Sequence, residues 1–151
     1  MMKLRYVAGM VMGAAVLSGC QAQSRAPEVV IVEDMPALGA YSSAVKAGGM
    51  VYVAGVVAYN PETQSFTPAN IEAQTMQVFA NLKQVLAAAG CDLEDVVKAN
   101  VYLKNPADYA TMNEVYSLHF PGYKPARTTV PGVDWGRDDI LIEIDVIAKL
   151  P

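Results

Sequence analysis

"DVVKANVYLKNPADYATMNEVYSLHF", residues 95–120, decides the fold. In its first part Val97, Ala99, Val101 and Leu103 alternate with Lys98, Asn100, Tyr102 and Lys104, the period of a strand with one buried face. At Asn105 and Pro106 the period changes. Tyr109, Met112 and Tyr116 then fall on one face of a helix that Pro121 ends. A one-sided strand leading straight into a one-sided helix is a building unit of an α+β domain.

Upstream, "AYSSAVKAGGMVYVAGVV" (residues 40–57) holds two β-prone runs around Gly48 and Gly49, the chemistry of a tight hairpin turn. A loop, "YNPETQSFTPAN", leads into a helix for which Thr67 is the expected cap, Pro68 the first position and Gly90 the residue past the last turn. Ile71, Thr75, Val78, Leu82, Val85 and Ala89 give that helix one core-facing stripe. Further upstream, residues 29–32 can add an edge strand. Downstream, "KPARTTV" (residues 124–130), "VDWGRDD" and "ILIEIDVIAKL" complete the chain, with Ile142, Ile144, Val146 and Ala148 alternating with Glu143, Asp145, Ile147 and Lys149. The order β-β-α-β-α-β-β describes a single α+β domain, a mixed sheet with two helices on one face. The other face is only partly polar, so self-association is the economical way to cover it.

The front of the chain reads differently. Lys3 and Arg5 precede an apolar run from Val7 to Leu17, which small residues close. This is the order of a secretory signal peptide, and the run is too short to span a bilayer. "LSGC", ending at Cys20, resembles the bacterial lipobox, whose cysteine is acylated and becomes the mature N-terminus; a plain secretory peptide is the alternative. Residues 1–19 are thus read as a lipoprotein signal peptide, 20–33 as a lipid-anchored tether and 34–151 as the folded domain. Gln21 after the cysteine fits sorting to the outer membrane, so the expectation is an exported, periplasm-facing protein held to the membrane through Cys20.

Losing Lys3 and Arg5 takes the formal charge from −4 to −6. The remaining cations are scattered, without a basic run or interleaved aromatics, which argues against nucleic acid as a partner. With Cys20 acylated, Cys91 has no partner in the chain and is read as a small structural residue. His119, the only histidine, falls in the last turn of the second helix, where a cation suits the dipole; a lone histidine makes no metal site.

Arg127 raises a sharper question. It stands at the mouth of a β-branched run, always charged, with a rigid donor fork suited to a planar anion. Either the protein supplies that anion or a ligand does.

Taken in order, "LGAYSSAVKAGGMVYVAG", residues 95–120, "PARTTV" and "LIEIDVIA" closely resemble the RidA/YjgF family of imine deaminases, from about Ala37 to Leu150. The resemblance implies a chorismate-mutase-like fold, a homotrimer with sheets inward, and sites in the clefts between subunits. It implies hydrolysis of reactive 2-imino acids or their enamine tautomers, such as 2-aminoacrylate, to 2-keto acids and ammonia, with neither metal nor organic cofactor. Arg127 matches the arginine that grips the substrate carboxylate, and Glu143 the glutamate that positions a water, which places Glu143 in the cleft near Arg127. Tyr41 and Gly55 match residues lining that cleft, and Thr129 stands where relatives carry a cysteine or threonine. Ala54 stands where many relatives have serine. A membrane-tethered trimer that binds small carboxylates without catalysis is the alternative. An older ribonuclease label in the family sits poorly with the acidic balance of this chain.

The membrane assignment is tested through Cys20. In a host that processes lipoproteins the wild type should sediment with membranes, and Cys20→Ser should accumulate unprocessed or appear in the soluble fraction. A wild type found wholly in the cytoplasm would overturn it.

Overall fold

The computed structural model describes residues 26–33, 35, 37 and 39–151. The signal peptide, Cys20 and most of the tether lie outside the described residues. Strands β1 (Glu28–Val30), β2 (Ala44–Ala47), β3 (Met50–Val57), β6 (Val96–Leu103), β7 (Ala126–Pro131) and β8 (Ile142–Lys149) form one sheet in the order β1-β2-β3-β8-β6-β7. A small hairpin of β4 (Tyr59–Asn60) and β5 (Ser65–Phe66) stands apart. Helices α1 (Ile71–Ala89) and α2 (Tyr109–His119) supply the second layer. Among the described residues no helix is long and apolar enough to cross a membrane.

Gly48 and Gly49 adopt φ of +58° and +79°, so the two-residue turn of the β2–β3 hairpin uses conformations that side chains disfavour. β1 pairs with β2, so the sheet starts within the segment read as tether, at the apolar residues expected to form an edge strand. β8, the last strand, lies in the middle and is antiparallel to both β3 and β6. β6 and β7 run parallel, joined across one face by α2, which makes the sheet mixed.

Alternation sets the faces. Ile142, Ile144, Val146 and Ala148 of β8 are at most 1% exposed, while Glu143, Asp145 and Ile147 stay partly accessible. On β6 the register slips between Val96 and Lys98, so Val96 rather than Val97 is the fully buried residue at that end. The apolar faces of β3, β6 and β8 receive Val78, Phe79, Leu82, Val85 and Leu86 of α1 and Met112 of α2.

The helix ends depart in detail from the sequence reading. Asn70, not Thr67, caps α1: its Oδ1 accepts from the Ala73 N–H at 2.9 Å. Thr67 is engaged elsewhere, donating its N–H to the Ala58 carbonyl at 2.8 Å, so the helix cannot begin until the chain leaves that hairpin. Gly90 ends α1 in the left-handed conformation as expected, φ +81°. His119 does not serve as a helix-end cation. It stacks on Phe79 with centroids 4.1 Å apart, and burial together with Lys83 lowers its pKa, favouring the neutral ring. Cys91 is buried, donates to the Lys149 carbonyl at 3.6 Å, and has its thiol pKa raised chiefly by burial.

Two buried amides of α1 tie distant loops to the helix. Gln74 donates to the carbonyls of Thr67 (3.0 Å) and Asp139 (2.7 Å) and accepts from the Leu141 N–H (2.9 Å). Asn81 donates to the carbonyls of Val57 (3.0 Å) and Tyr59 (2.7 Å) and accepts from Gln77 (2.9 Å). Gln74→Ala would leave three backbone groups without partners, at a cost of about 3 kcal/mol, since each orphaned buried group costs about 1–3 kcal/mol. Urea unfolding should show a lower midpoint with an unchanged slope; an unaltered midpoint would mean that the amide contributes nothing.

Candidate functional site

The pairing registers divide the sequence-predicted site residues into two groups. Arg127 and Thr129 on β7 lie opposite Ala99 and Val101 of β6, whose side chains face the helices. In paired strands opposite residues share a face, so Arg127 and Thr129 face the helices too. Glu143 lies opposite Tyr102 of β6 and Val57 of β3, on the face the helices leave open. Two bonds check this assignment. Lys98 donates to Thr128 at 2.6 Å and Asn100 to Asp145 at 2.8 Å, all four on the open face. Within one chain, then, Glu143 does not lie beside Arg127, as the motif alone suggested: the two occupy opposite faces of the sheet.

Around Arg127, α2 supplies the partners. Nη2 donates to Asn113 Oδ1 at 2.8 Å and to the Tyr109 hydroxyl at 3.2 Å. The guanidinium carbon lies 4.5 Å from the centroid of the Tyr116 ring and 5.9 Å from that of Tyr109, a cation–π stack. Burial pushes the Tyr116 phenol up to about 12, and its hydroxyl has no hydrogen-bond partner among the described residues. The ion pairs among the described residues do not include Arg127, so its surroundings are neutral. The anion that such a fork favours is therefore not supplied by a described residue of this chain. Tyr109 and Tyr116 read in the sequence as packing residues. The polar Asn113, one turn beyond Tyr109, was the available sign that this helix does more than pack.

The second group centres on Glu143. β3 carries an irregularity between Val53 and Val56, and Gly55 lies in it. A Cβ at Gly55 would overlap the Glu143 carboxylate and approach its Cγ to 3.0 Å, so the glycine makes room for the acid. Gly55 also lines a cavity of about 60 Å³ with Tyr41, Ser43, Ala54, Val56 and Asn81 among its walls. Gly55 thus adjoins both Glu143 and the cavity that Tyr41 lines, while Glu143 itself is not among the residues that wall that cavity. Burial raises the Glu143 pKa above the ordinary carboxylate range, aided by Asp145 and opposed by a hydrogen bond from Trp135. Sequence reasoning did not single out Trp135, because a loop tryptophan announces no partner. β7 lies three strand spacings from β3, about 14 Å at roughly 4.8 Å per strand, so the two groups are also separated laterally.

A family model described as Endoribonuclease L-PSP matches residues 32–150, nearly the whole of the described fold. The chain belongs to this family, the RidA/YjgF family. A RutC family protein of Pyrococcus horikoshii is 45% identical over 122 residues, covering 80% of this chain and 96% of that protein. The chloroplastic Reactive Intermediate Deaminase A of Arabidopsis thaliana is 44% identical over 109 residues, covering 72% of this chain and 58% of that one. The structure of TdcF of E. coli with bound serine superposes with a TM-score of 0.74 at 29% identity, covering 82% of this chain and 99% of that chain. RidA/YjgF membership supports a general imine deaminase role, and the Arabidopsis relative is itself named a reactive intermediate deaminase.

The raised Glu143 pKa has a consequence for stability. A carboxyl whose pKa is higher in the folded protein stabilises the fold below its unfolded-state pKa, and that contribution is lost as pH rises through the folded value. Glu143→Gln should therefore raise the thermal midpoint at pH 7, and the gain should shrink as the pH falls to about 4, the ordinary glutamate value. A variant less stable than wild type at pH 7, with pH-independent loss, would contradict the burial of this carboxylate.

Proposed function

We propose that this protein hydrolyses 2-imino acids and their enamine tautomers, 2-aminoacrylate among them, to 2-keto acids and ammonia, at a site completed between two copies in a homotrimer. The observation that carries the reading is Arg127, a half-buried guanidinium without a described carboxylate partner, both of whose hydrogen bonds leave from Nη2. Its Nε and Nη1 donors remain for the carboxylate of a substrate, and the α2 contacts hold the guanidinium in place. The serine in the TdcF structure carries a carboxylate of the same kind.

Hydrolysis also needs a group that activates water. Glu143 is half-buried and burial raises its pKa, the direction that makes the carboxylate a stronger base toward a water attacking the imine carbon. Attack leaves the nitrogen anionic, and the proton held by Glu143 passes to it to give the carbinolamine; the hydroxyl proton is then carried to the nitrogen as the C=O bond forms, the C–N bond breaks and ammonia leaves. Gly55 leaves the space in which the carboxylate moves, and Tyr41 walls the adjoining cavity. Thr129 shares the face of Arg127 and offers a hydroxyl to the substrate.

The separation of the two groups favours the oligomer. Arg127 stands on the edge strand β7 and Glu143 on the central strand, on opposite faces, so one chain cannot close a site with both. An edge from one copy laid against the open face of another would do so. RNA is not the proposed substrate: the chain is acidic, with a formal net charge of −4, and its cations form no basic run that would follow a phosphate backbone. The resemblance of "LSGC" to a lipobox supports reading this activity as that of a protein lipid-anchored through Cys20 and facing the periplasm, from the outer membrane.

The test is complementation. Arg127→Ala should weaken carboxylate substrates about tenfold to 150-fold, from the worth of hydrogen bonds to charged groups, and Arg127→Lys should recover little because it loses the stacked fork. Glu143→Gln should slow turnover of 2-aminoacrylate by about 10² to 10⁴. Trimers reassembled from a mixture of Arg127→Ala and Glu143→Gln chains should regain activity, since some interfaces then join an intact arginine to an intact glutamate. Hybrid trimers that stay inactive would refute the shared site. Wild-type protein that binds keto acids through Arg127 yet hydrolyses no imine would establish the non-catalytic carboxylate binder instead.

A further inference from the structure

Both hydrogen bonds of Arg127 leave from one nitrogen, and that limits what the guanidinium can still offer. A guanidinium has two flat edges suited to a carboxylate, Nε with Nη2 and Nη1 with Nη2, so Nη2 belongs to both. Its two hydrogens go to Asn113 Oδ1 at 2.8 Å and to the Tyr109 hydroxyl at 3.2 Å. Either edge therefore presents an incoming anion with a single N–H. A carboxylate held at both oxygens needs its second donor from another group.

Tyr109 has such a donor. Arginine donates and never accepts, so the phenol oxygen is the acceptor in its bond with Nη2. The phenol proton is then directed away from Arg127, and no hydrogen bond among the described residues takes it up. At 47% exposure the Tyr109 side chain is open to a ligand, whereas Tyr116, stacked on the same guanidinium, is 6% exposed. The position of Tyr109 is set by its backbone. Its N–H donates to the Pro106 carbonyl and closes the 3-10 turn Pro106–Asp108, whose entry Asn105 caps by accepting from the Ala107 N–H at 3.1 Å. Met112, one turn further along α2, is fully buried in the core and anchors the helix.

We propose that Tyr109 is a substrate-binding residue, its hydroxyl donating to one oxygen of the substrate carboxylate while an Arg127 N–H donates to the other. The proposal rests on the reading of Arg127 as the group that grips this carboxylate, and it gives the first residue of α2 a contact of its own with the ligand. The bond from Nη2 also polarises the phenol, which makes its O–H a stronger donor to an anion.

Tyr109→Phe keeps the ring and removes the hydroxyl. In isothermal titration calorimetry it should weaken pyruvate, a 2-keto acid, by about tenfold, as expected for a lost hydrogen bond to a charged group, and leave the weaker binding of uncharged pyruvamide unchanged. In imine turnover KM should rise by a similar factor with kcat little altered, because the bond is made to substrate and transition state alike. A hydroxyl that served only to hold Arg127 would act in the opposite direction: its loss frees an Nη2 hydrogen and restores a full edge, so pyruvate would bind as before or more tightly. On the Arg127→Ala background, Tyr109→Phe should weaken pyruvate further, since the phenol meets the ligand directly. Unchanged or tighter pyruvate binding in Tyr109→Phe, or no further loss on the Arg127→Ala background, would overturn the proposal. A wild type that binds no pyruvate would overturn it together with the carboxylate reading of Arg127. A wild type that binds pyruvate yet hydrolyses no imine would sink the deaminase reading alone, and the calorimetric comparison would still decide the role of Tyr109.

Discussion

The placement of β8 between β3 and β6 is the constraint from which the rest follows. A strand paired on both edges has no freedom of register, and its two-residue period assigns every side chain a face. Once Ile142, Ile144 and Val146 are committed to the helices, Glu143 and Asp145 must project to the other side. The parallel register of β7 then commits Arg127 to the helix side through its pairing opposite Ala99. Nothing in the chemistry of arginine or glutamate produces this opposition. It is a geometric consequence of where the aliphatic residues of one strand find cover.

Polar groups inside the apolar layer carry the second level of organisation. Gln74 and Asn81 lie within α1 at no more than 1% exposure, and each satisfies backbone groups of loops remote in sequence. Asn81 holds the exit of the irregular stretch of β3 that contains Gly55, and Gln74 holds the loop that delivers Trp135. A helix buried against a sheet thereby fixes the two backbone segments that flank Glu143. The acid itself is the costly member: it is half-buried, raised in pKa and next to Asp145. The surrounding aliphatic packing offsets that cost, as is common where a site requires a group that the fold would otherwise exclude.

Much of this was legible in the chain. The alternation of β8 and, from Ala99 on, of β6, the Gly48–Gly49 turn and the Gly90 end of α1 each depend on a local rule with little competition, and each appears as read; only the start of β6 differs, where the register slip buries Val96 in place of Val97. Motif resemblance singled out Arg127, Glu143, Gly55 and Tyr41, of which Gly55 lies against Glu143 and shares a cavity wall with Tyr41. What was not legible depended on register. Alternation reveals that a strand has two faces but not which face of one strand matches which face of another, so Arg127 and Glu143 could be named without their opposition being visible. The cap of α1 passed to Asn70 because Thr67 was held by a contact across the β4–β5 hairpin. Trp135 and the α2 side chains around Arg127 are tertiary contacts with no local signature.

The central strand is also the last to be made. Until residues 142–149 leave the ribosome, β1, β2 and β3 can form one ladder and β6 and β7 another, with nothing between them to pair. Strand β3 must wait for a partner almost the whole domain away in sequence, the kind of non-local closure that slows folding. In this topology the sheet is two separate ladders joined only by residues 142–149, so its unity depends on one strand.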